Sequence, residues 1–302
     1  MSTLRTYAQL CRLPAVFTAM ADVFMGYFVL RGVRHLSDPS IQGPQTLAAL
    51  VVASSALYLA GMVLNDVFDR EIDARERPQR PIPSGRVSLR NAIRLAVLLI
   101  VTGLIASQLA GYKSLLVALL LLVNIVLYDG WGKHTPLGPL LMGGCRFLNV
   151  ILGGSSGAGD VSQLFTSHGS LVATGLAIYV AGVTIFAKKE AETSGRGGLI
   201  FGQVVLNLGL LTTAVWIAPH MDSTRALATL GVIAVVINRR ALQAVADLRP
   251  ARVQAAVRIM LLSIITIDAT VIYTATGDTG TALAVVALLF PSLLLGKWMT
   301  MT

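Results

Sequence analysis

Charge is scarce in this chain: of 302 residues only 13% are Asp, Glu, Lys or Arg, with 15 acidic side chains against 24 basic ones. A water-soluble chain of this length carries roughly twice that share, because every element must show solvent a charged face. Such poverty of charge excludes an ordinary globular domain. Cysteine is scarce too, and Cys11 and Cys145 are too few for a disulfide framework; both read as small packing residues. The four histidines, His35, His134, His168 and His220, fall in predicted loops, and no Cys/His spacing suggests zinc.

Apolar residues are abundant, at 55% of the chain with a mean hydropathy of +0.72. They come in blocks of about twenty, the length that crosses a bilayer as a helix. Candidate spans lie near 14–31, 46–65, 91–110, 113–129, 137–154, 170–188, 199–218, 225–238, 257–275 and 281–298. The eighth is short, so the expectation is nine or ten helices in one integral-membrane domain over 1–302. The first run follows MSTLRTYAQLCR without a small-residue cleavage site and is read as a resident helix.

Lysine and arginine concentrate in cytoplasmic loops, which tests the count. If ten helices alternate from a cytoplasmic amino terminus, the only basic residues left on the outer side are Arg31, Arg34, Lys113 and Arg225. A missed helix would flip every later loop and spoil that asymmetry. Both termini and the loops 66–90, 130–136, 188–198 and 239–256 are therefore expected on the cytoplasmic side. The net charge of +9 follows from the same asymmetry beside anionic lipid and calls for no nucleic acid.

At the end of the second span the sequence turns polar, reading LNDVFDREIDARERPQRPIPSGR over 64–86. Asn65, Asp69 and Asp73 are spaced by four, so on a helix continuing past Leu64 they share one face, each about 40° round from the last. Such a ladder of hard oxygen ligands suits Mg²⁺, which is typically shared between one or two carboxylates and a substrate's phosphates. Arginines follow at once, Arg77 and Arg80 among them, and arginine grips phosphate oxygens with paired donors. Together they describe a site for a magnesium diphosphate. The plainer reading is a solvated helix end with pairs such as Glu71 with Arg75 and Asp73 with Arg77.

These residues resemble the first aspartate-rich motif of the UbiA superfamily of intramembrane prenyltransferases. Its N-x-x-x-D-x-x-x-D pattern is met by Asn65, Asp69 and Asp73, and its R-P-x-P-S-G element by Arg80, Pro81, Pro83, Ser84 and Gly85. The segment YDGWGKHTPLGPLLMGGCRFLNVILGG resembles the family's passage from the fourth helix into the fifth. In wording, KHTPLG, MGGCRFLN and LLFPSLLL are similar to an EboC-like branch. The resemblance implies an all-α helix bundle around a central cavity, with a prenyl diphosphate held by Mg²⁺ at a cytoplasmic polar cap. The isoprenoid is then passed to an acceptor in the membrane. It also implies diphosphate contact by Arg80 and Lys133, with Arg146 as a third candidate.

Where the family's second motif, D-x-x-x-D, is expected, the chain reads AKKEAETSGRGG, without aspartate. Glu190 takes the first position and Ser194 the second, with Glu192 as an alternative ligand; Lys188, Lys189 or Arg196 would act directly on phosphate if a second ion binds weakly. Asp22 and Asp268 are single carboxylates within apolar runs, which are costly and usually face a cavity or a partner. Asp22 and Asn149 are candidates for substrate contact, and Arg146, deep in an apolar run, needs a partner. Asp129 sits near Lys133, where a structural pairing and a catalytic one are both open. Two rival functions stand beside prenyl transfer to a lipophilic, for instance aromatic, acceptor. One is a non-catalytic binding or transport partner for an isoprenoid; the other is a terpene cyclase that uses no acceptor.

Overall fold

Lipid offers no hydrogen-bond partner to a backbone, so apolar runs of this length must satisfy their amides internally as helices. In the computed structural model, which describes residues 3–31, 43–156, 160–188, 195–221 and 223–298, that is what they do. Every regular element among the described residues is helical. The long ones are α2 (Val16–Arg31), α3 (Gly43–Phe68), α5 (Leu89–Ala110), α6 (Tyr112–Gly130), α7 (Gly138–Gly154), α9 (Ser170–Ala187), α10 (Arg196–Ile217), α11 (Ser223–Ala246) and α12 (Pro250–Thr276). Short helices α1 (Thr3–Leu10), α4 (Arg70–Glu76) and α8 (Val161–Thr166) connect them, and α13 (Thr279–Val286) with α14 (Leu289–Trp298) closes the chain.

Nine described segments are long and apolar enough to cross a membrane. The 17-residue α7, rising about 26 Å against a ~30 Å hydrocarbon core, is not among those nine, so the described residues hold nine such spans plus this shorter central helix. The expected boundaries hold within a few residues except at three places, one of them the ninth span, expected from 257, which starts at Pro250. The eighth span, expected at 225–238, runs on to Ala246: Asn238 is paired with Asn207 and Gln203 of α10, and Arg239 and Arg240 continue the helix with their polar heads outward. The last, expected as one helix over 281–298, breaks after Val286: Pro291 has no amide proton, and its ring crowds the carbonyl four residues back, at Ala287.

α2 and α7 lie at the centre: α2 packs on α3, α7 and α12, while α7 packs on α2, α6 and α9. Close approach comes from missing side chains. A Cβ on Gly26 would collide with the Val150 carbonyl and one on Gly153 with that of Val23, so α2 and α7 meet backbone to backbone. Gly182 and Gly202 do the same for α9 and α10. Lipid-facing surfaces, chiefly on α5, α6, α10 and α11, carry exposed Leu98, Leu109, Leu120, Leu211 and Val235.

α3 decides where the polar cap sits. Its 26 residues rise about 39 Å, more than the ~30 Å of hydrocarbon, so its last turn emerges from the apolar layer. A small second core of Leu10, Val63, Val67, Val87, Ala92 and Ala96 then clamps α1 and the 77–88 turns against the ends of α3 and α5. In those turns Ser84 N–H donates to Arg80 O (3.0 Å) and Val87 N–H to Pro81 O (3.0 Å), while Gly85 takes the left-handed φ of 73° that its turn needs.

Candidate active site

α3 ends at Phe68, Asp69 is a one-residue break (φ −84°, ψ 2°), and α4 begins at Arg70. Helical hydrogen bonds nevertheless carry through, Asp69 N–H to Asn65 O (3.0 Å) and Asp73 N–H to Asp69 O (2.8 Å). Asn65, Asp69 and Asp73 therefore follow one another on one continuous ladder, as their spacing predicts. The path stops at Arg77, forced out of helical geometry ahead of Pro78.

Cations from three other segments close on this ladder. Arg80, from the clamped turn and buried, donates to Asp73 Oδ2 (2.6 Å) and Asp66 Oδ1 (3.4 Å). Lys133, from the turn after α6, lies 2.7 Å from Asp69 Oδ1. Arg12, at the entry to α2, donates to Asp66 Oδ1 (3.1 Å) and Asn65 Oδ1 (3.3 Å). Its φ of 46° is the one positive value outside glycine among the described residues, a backbone strain of about 1–3 kcal/mol located at the cap. Asn65 completes the network by donating its amide to Asp129 Oδ1 (3.0 Å), and His134 Nε2 stands 3.8 Å from Asp69.

Asp73 thus pairs with Arg80, and Arg70 with Glu71 (3.0 Å); the solvated pairs Glu71–Arg75 and Asp73–Arg77 are not what forms. The cap brings together Asn65, Asp69, Asp73, Arg80 and Lys133. Arg77 is half-buried beside them, and its side chain has no partner among the described residues. Lys188 is exposed at the end of α9. Lys189, Glu190, Glu192 and Ser194 lie outside the described residues. Arg12 and Asp66 belong to the cap although no spacing pattern singles them out. Asp66 is one residue off the four-spaced face, and Arg12 reads as one more cytoplasmic charge.

The cap suits an anion bridged by a hard cation. Lys133 Nζ is buried and ion-paired with Asp69, and it makes no hydrogen bond of good geometry among the described residues. An ammonium with N–H groups left over beside carboxylate and amide oxygens is a ready partner for phosphate. No three His, Cys, Asp or Glu side chains among the described residues converge tightly enough to hold a metal alone. That agrees with Mg²⁺, which fills its shell from substrate oxygens and water. Next to the cap, burial and then the Asp66 carboxylate push the Cys11 thiol up to about 11.

A second polar group lies deeper between α2, α3, α7 and α12. Arg146 donates to Asp22 Oδ2 (2.9 Å) and Thr18 Oγ1 (3.0 Å), with its guanidinium 5.7 Å from the centre of the Tyr58 ring. Asn149 donates to Asp22 Oδ2 (2.9 Å) and the Ala19 carbonyl (2.9 Å) and accepts from Ser54 (2.7 Å). Asp22, Asn149 and Arg146 are therefore one cluster, separate in its hydrogen bonds from the cap. A groove of about 350 Å³ lined by Ile200, Gln203 and Asn207 opens instead on the outer face of α10, far in character from either polar group.

A bundle of membrane-length helices with interlocked carboxylates and cations at one end defines an integral membrane protein with a charged cap. The chain belongs to the UbiA prenyltransferase family, which matches residues 25–302. It is 38% identical over 151 residues to the digeranylgeranylglyceryl phosphate synthase of Metallosphaera sedula, covering 50% of this chain and 51% of that protein. The chain spans about half the length of the curated relatives it matches. A UbiA homolog from Aeropyrum pernix shares the fold with a TM-score of 0.68 at 17% identity, over 93% of this chain and 98% of that one. A UbiA homolog from Archaeoglobus fulgidus bound to GPP and Mg²⁺ superposes with a TM-score of 0.61 at 14% identity, over 93% and 99%.

Proposed function

We propose that the protein transfers a prenyl group from a prenyl diphosphate to an acceptor within the membrane, at the cap formed by Asn65, Asp69, Asp73, Arg80 and Lys133. The observation that carries this reading is the buried Lys133 ammonium, ion-paired with Asp69 but without a hydrogen bond, set against the Asn65–Asp73 ladder. It agrees with the family, with the synthase relatives, and with the GPP and Mg²⁺ of the Archaeoglobus homolog.

Asn65, Asp69 and Asp73 would hold Mg²⁺, which would supply positive charge to the diphosphate leaving group. Lys133 donates N–H groups to the departing phosphate oxygens, whose negative charge grows along the reaction. Arg80 acts from behind: by pairing with Asp66 and Asp73 it fixes the ladder and keeps those buried carboxylates neutralised. Arg77 completes the cationic rim. Apolar walls exclude water, so the allylic cation meets the acceptor, whose displaced proton leaves with the diphosphate or solvent. The relatives' name points to a glyceryl phosphate lipid as the first acceptor to try, ahead of an aromatic one. The family resemblance assigns metal binding to Glu190 and Glu192 and diphosphate contact to Lys188 and Lys189; of these four, Lys188 is the one among the described residues.

The cap faces the cytoplasm, from the distribution of lysine and arginine along the chain. Purified protein in lipid nanodiscs, given labelled geranylgeranyl diphosphate, Mg²⁺ and either acceptor class, tests the function. A coupled ether or prenylated ring supports transfer; a cyclic hydrocarbon replaces it with a cyclase, and no consumption with a binding protein.

A further inference from the structure

Asp22 and Asp268 are both 0% exposed, on α2 and α12, which pack against each other. Asp22 spends Oδ2 on Arg146 and Asn149, but its Oδ1 has no partner, and neither oxygen of Asp268 has one. The packing of α2 on α12 makes the two carboxyl groups neighbours that act on each other, with Arg146 acting on both. Three orphan acceptors beside one another in a membrane interior are anomalous, because buried polar atoms are almost always satisfied. Two carboxylates against one guanidinium would also leave a net negative charge where charge is most costly.

We propose that Asp22 and Asp268 share one proton, carried by Asp268 and donated to Asp22 Oδ1, so that Asp268 is a positioning residue for Arg146. One hydrogen bond then satisfies two of the three orphan oxygens. It also makes the Asp22–Asp268–Arg146 group electrically neutral. With no accessible surface at either carboxyl there is no opening for a metal ion or water, and a proton is the occupant that fits. Fixed in this way, Asp22 holds Arg146 on one side only. NH1 and NH2 each spend one N–H on Asp22 and Thr18, which leaves the other guanidinium N–H groups of the buried Arg146 as donors for a polar group of the substrate.

The ionisable groups facing Asp268 are Asp22 on α2 and Arg146 on α7, with Tyr58 on α3 facing Arg146 and Asp22. α9 and α13, which also pack on α12, contain no charged residue, and the arginines of α11, at 225, 239 and 240, lie near its ends.

Infrared spectroscopy of the protein in nanodiscs at neutral pH reads the proton directly, whatever reaction the chain runs. The expected result is a protonated-carboxyl C=O stretching band in the wild type that disappears in Asp268→Asn. No such band, or one unchanged by the substitution, would overturn the proposal. A second arm rests on the prenyl transfer proposed above. The amide of Asp268→Asn donates to Asp22 as the acid does and should keep turnover close to wild type, whereas Asp268→Leu, which cannot donate, should lose about tenfold or more. Equal loss in both variants would make the ionised carboxylate the required form and contradict the shared proton. Absence of turnover in the wild type itself would count against the proposed reaction, leaving the infrared result to decide on the proton.

Discussion

Asp69 and Asp73 illustrate how differently two residues of one motif are held. Asp73 is buried against Arg80, while Asp69 keeps partial exposure and touches Lys133. Asp69→Ala should abolish Mg²⁺-dependent diphosphate binding with the fold intact, lowering turnover by about 10²–10³, the loss seen when one preorganised stabilising group is removed. Asp73→Ala should cost turnover similarly and stability as well, because it leaves the buried Arg80 with the longer Asp66 contact alone. Isothermal titration with diphosphate and Mg²⁺, paired with thermal unfolding, separates the two. Asn65→Ala should be milder, an amide being a neutral ligand. Cys11 gives a check by pH: with its thiol pushed up to about 11, little thiolate exists at neutral pH, and alkylation should accelerate only as the pH approaches that value. Rapid labelling at pH 7 would show that Cys11 is not buried beside Asp66.

The four-residue spacing made Asn65, Asp69 and Asp73 legible because a helix turns spacing into a shared face. Arg12 and Asp66 were not legible, since what places them is the approach of α2 to α3, a tertiary fact. Asp22 and Arg146 each stood out as costly in an apolar run, but positions 124 residues apart carry no mark of being each other's partner.

At the scale of the element, that partnership depends on α2 and α7 meeting without side chains between them. Gly26→Val or Gly153→Val should wedge the helices apart, destabilising the protein by about 1–3 kcal/mol or more, as overpacking does, and pulling Asp22 from Arg146. Unfolding in detergent measures the loss; a wild-type midpoint would mean the helices do not approach as described. Gly85→Ala, at a left-handed turn with open space around it, should cost less, through backbone strain alone. Helix existence was legible throughout, because blocks of apolar residues leave lipid no other solution. Boundaries were less so where other forces act: Pro291 splits the last span, and the arginines of α11 let a short apolar run continue as a longer helix.

Across the whole molecule, the cap gathers the start of α2, the ends of α3 and α6, and the turn before α5 at one end of the bundle. Alternating helices place the Gly277–Asp278 turn at the opposite end, so a cysteine at 278 should react with an impermeant reagent only from outside the cell. Labelling from the cytoplasmic face alone would invert the topology.

A single-turnover assay with labelled geranylgeranyl diphosphate reads whether this cap ionises a prenyl diphosphate for transfer. Wild-type protein in nanodiscs should release diphosphate and form a coupled product only when Mg²⁺ and acceptor are both present, and Lys133→Met should slow that step by about 10²–10³. Diphosphate release that is indifferent to Mg²⁺ and to Lys133, or no release under any condition, would contradict the account.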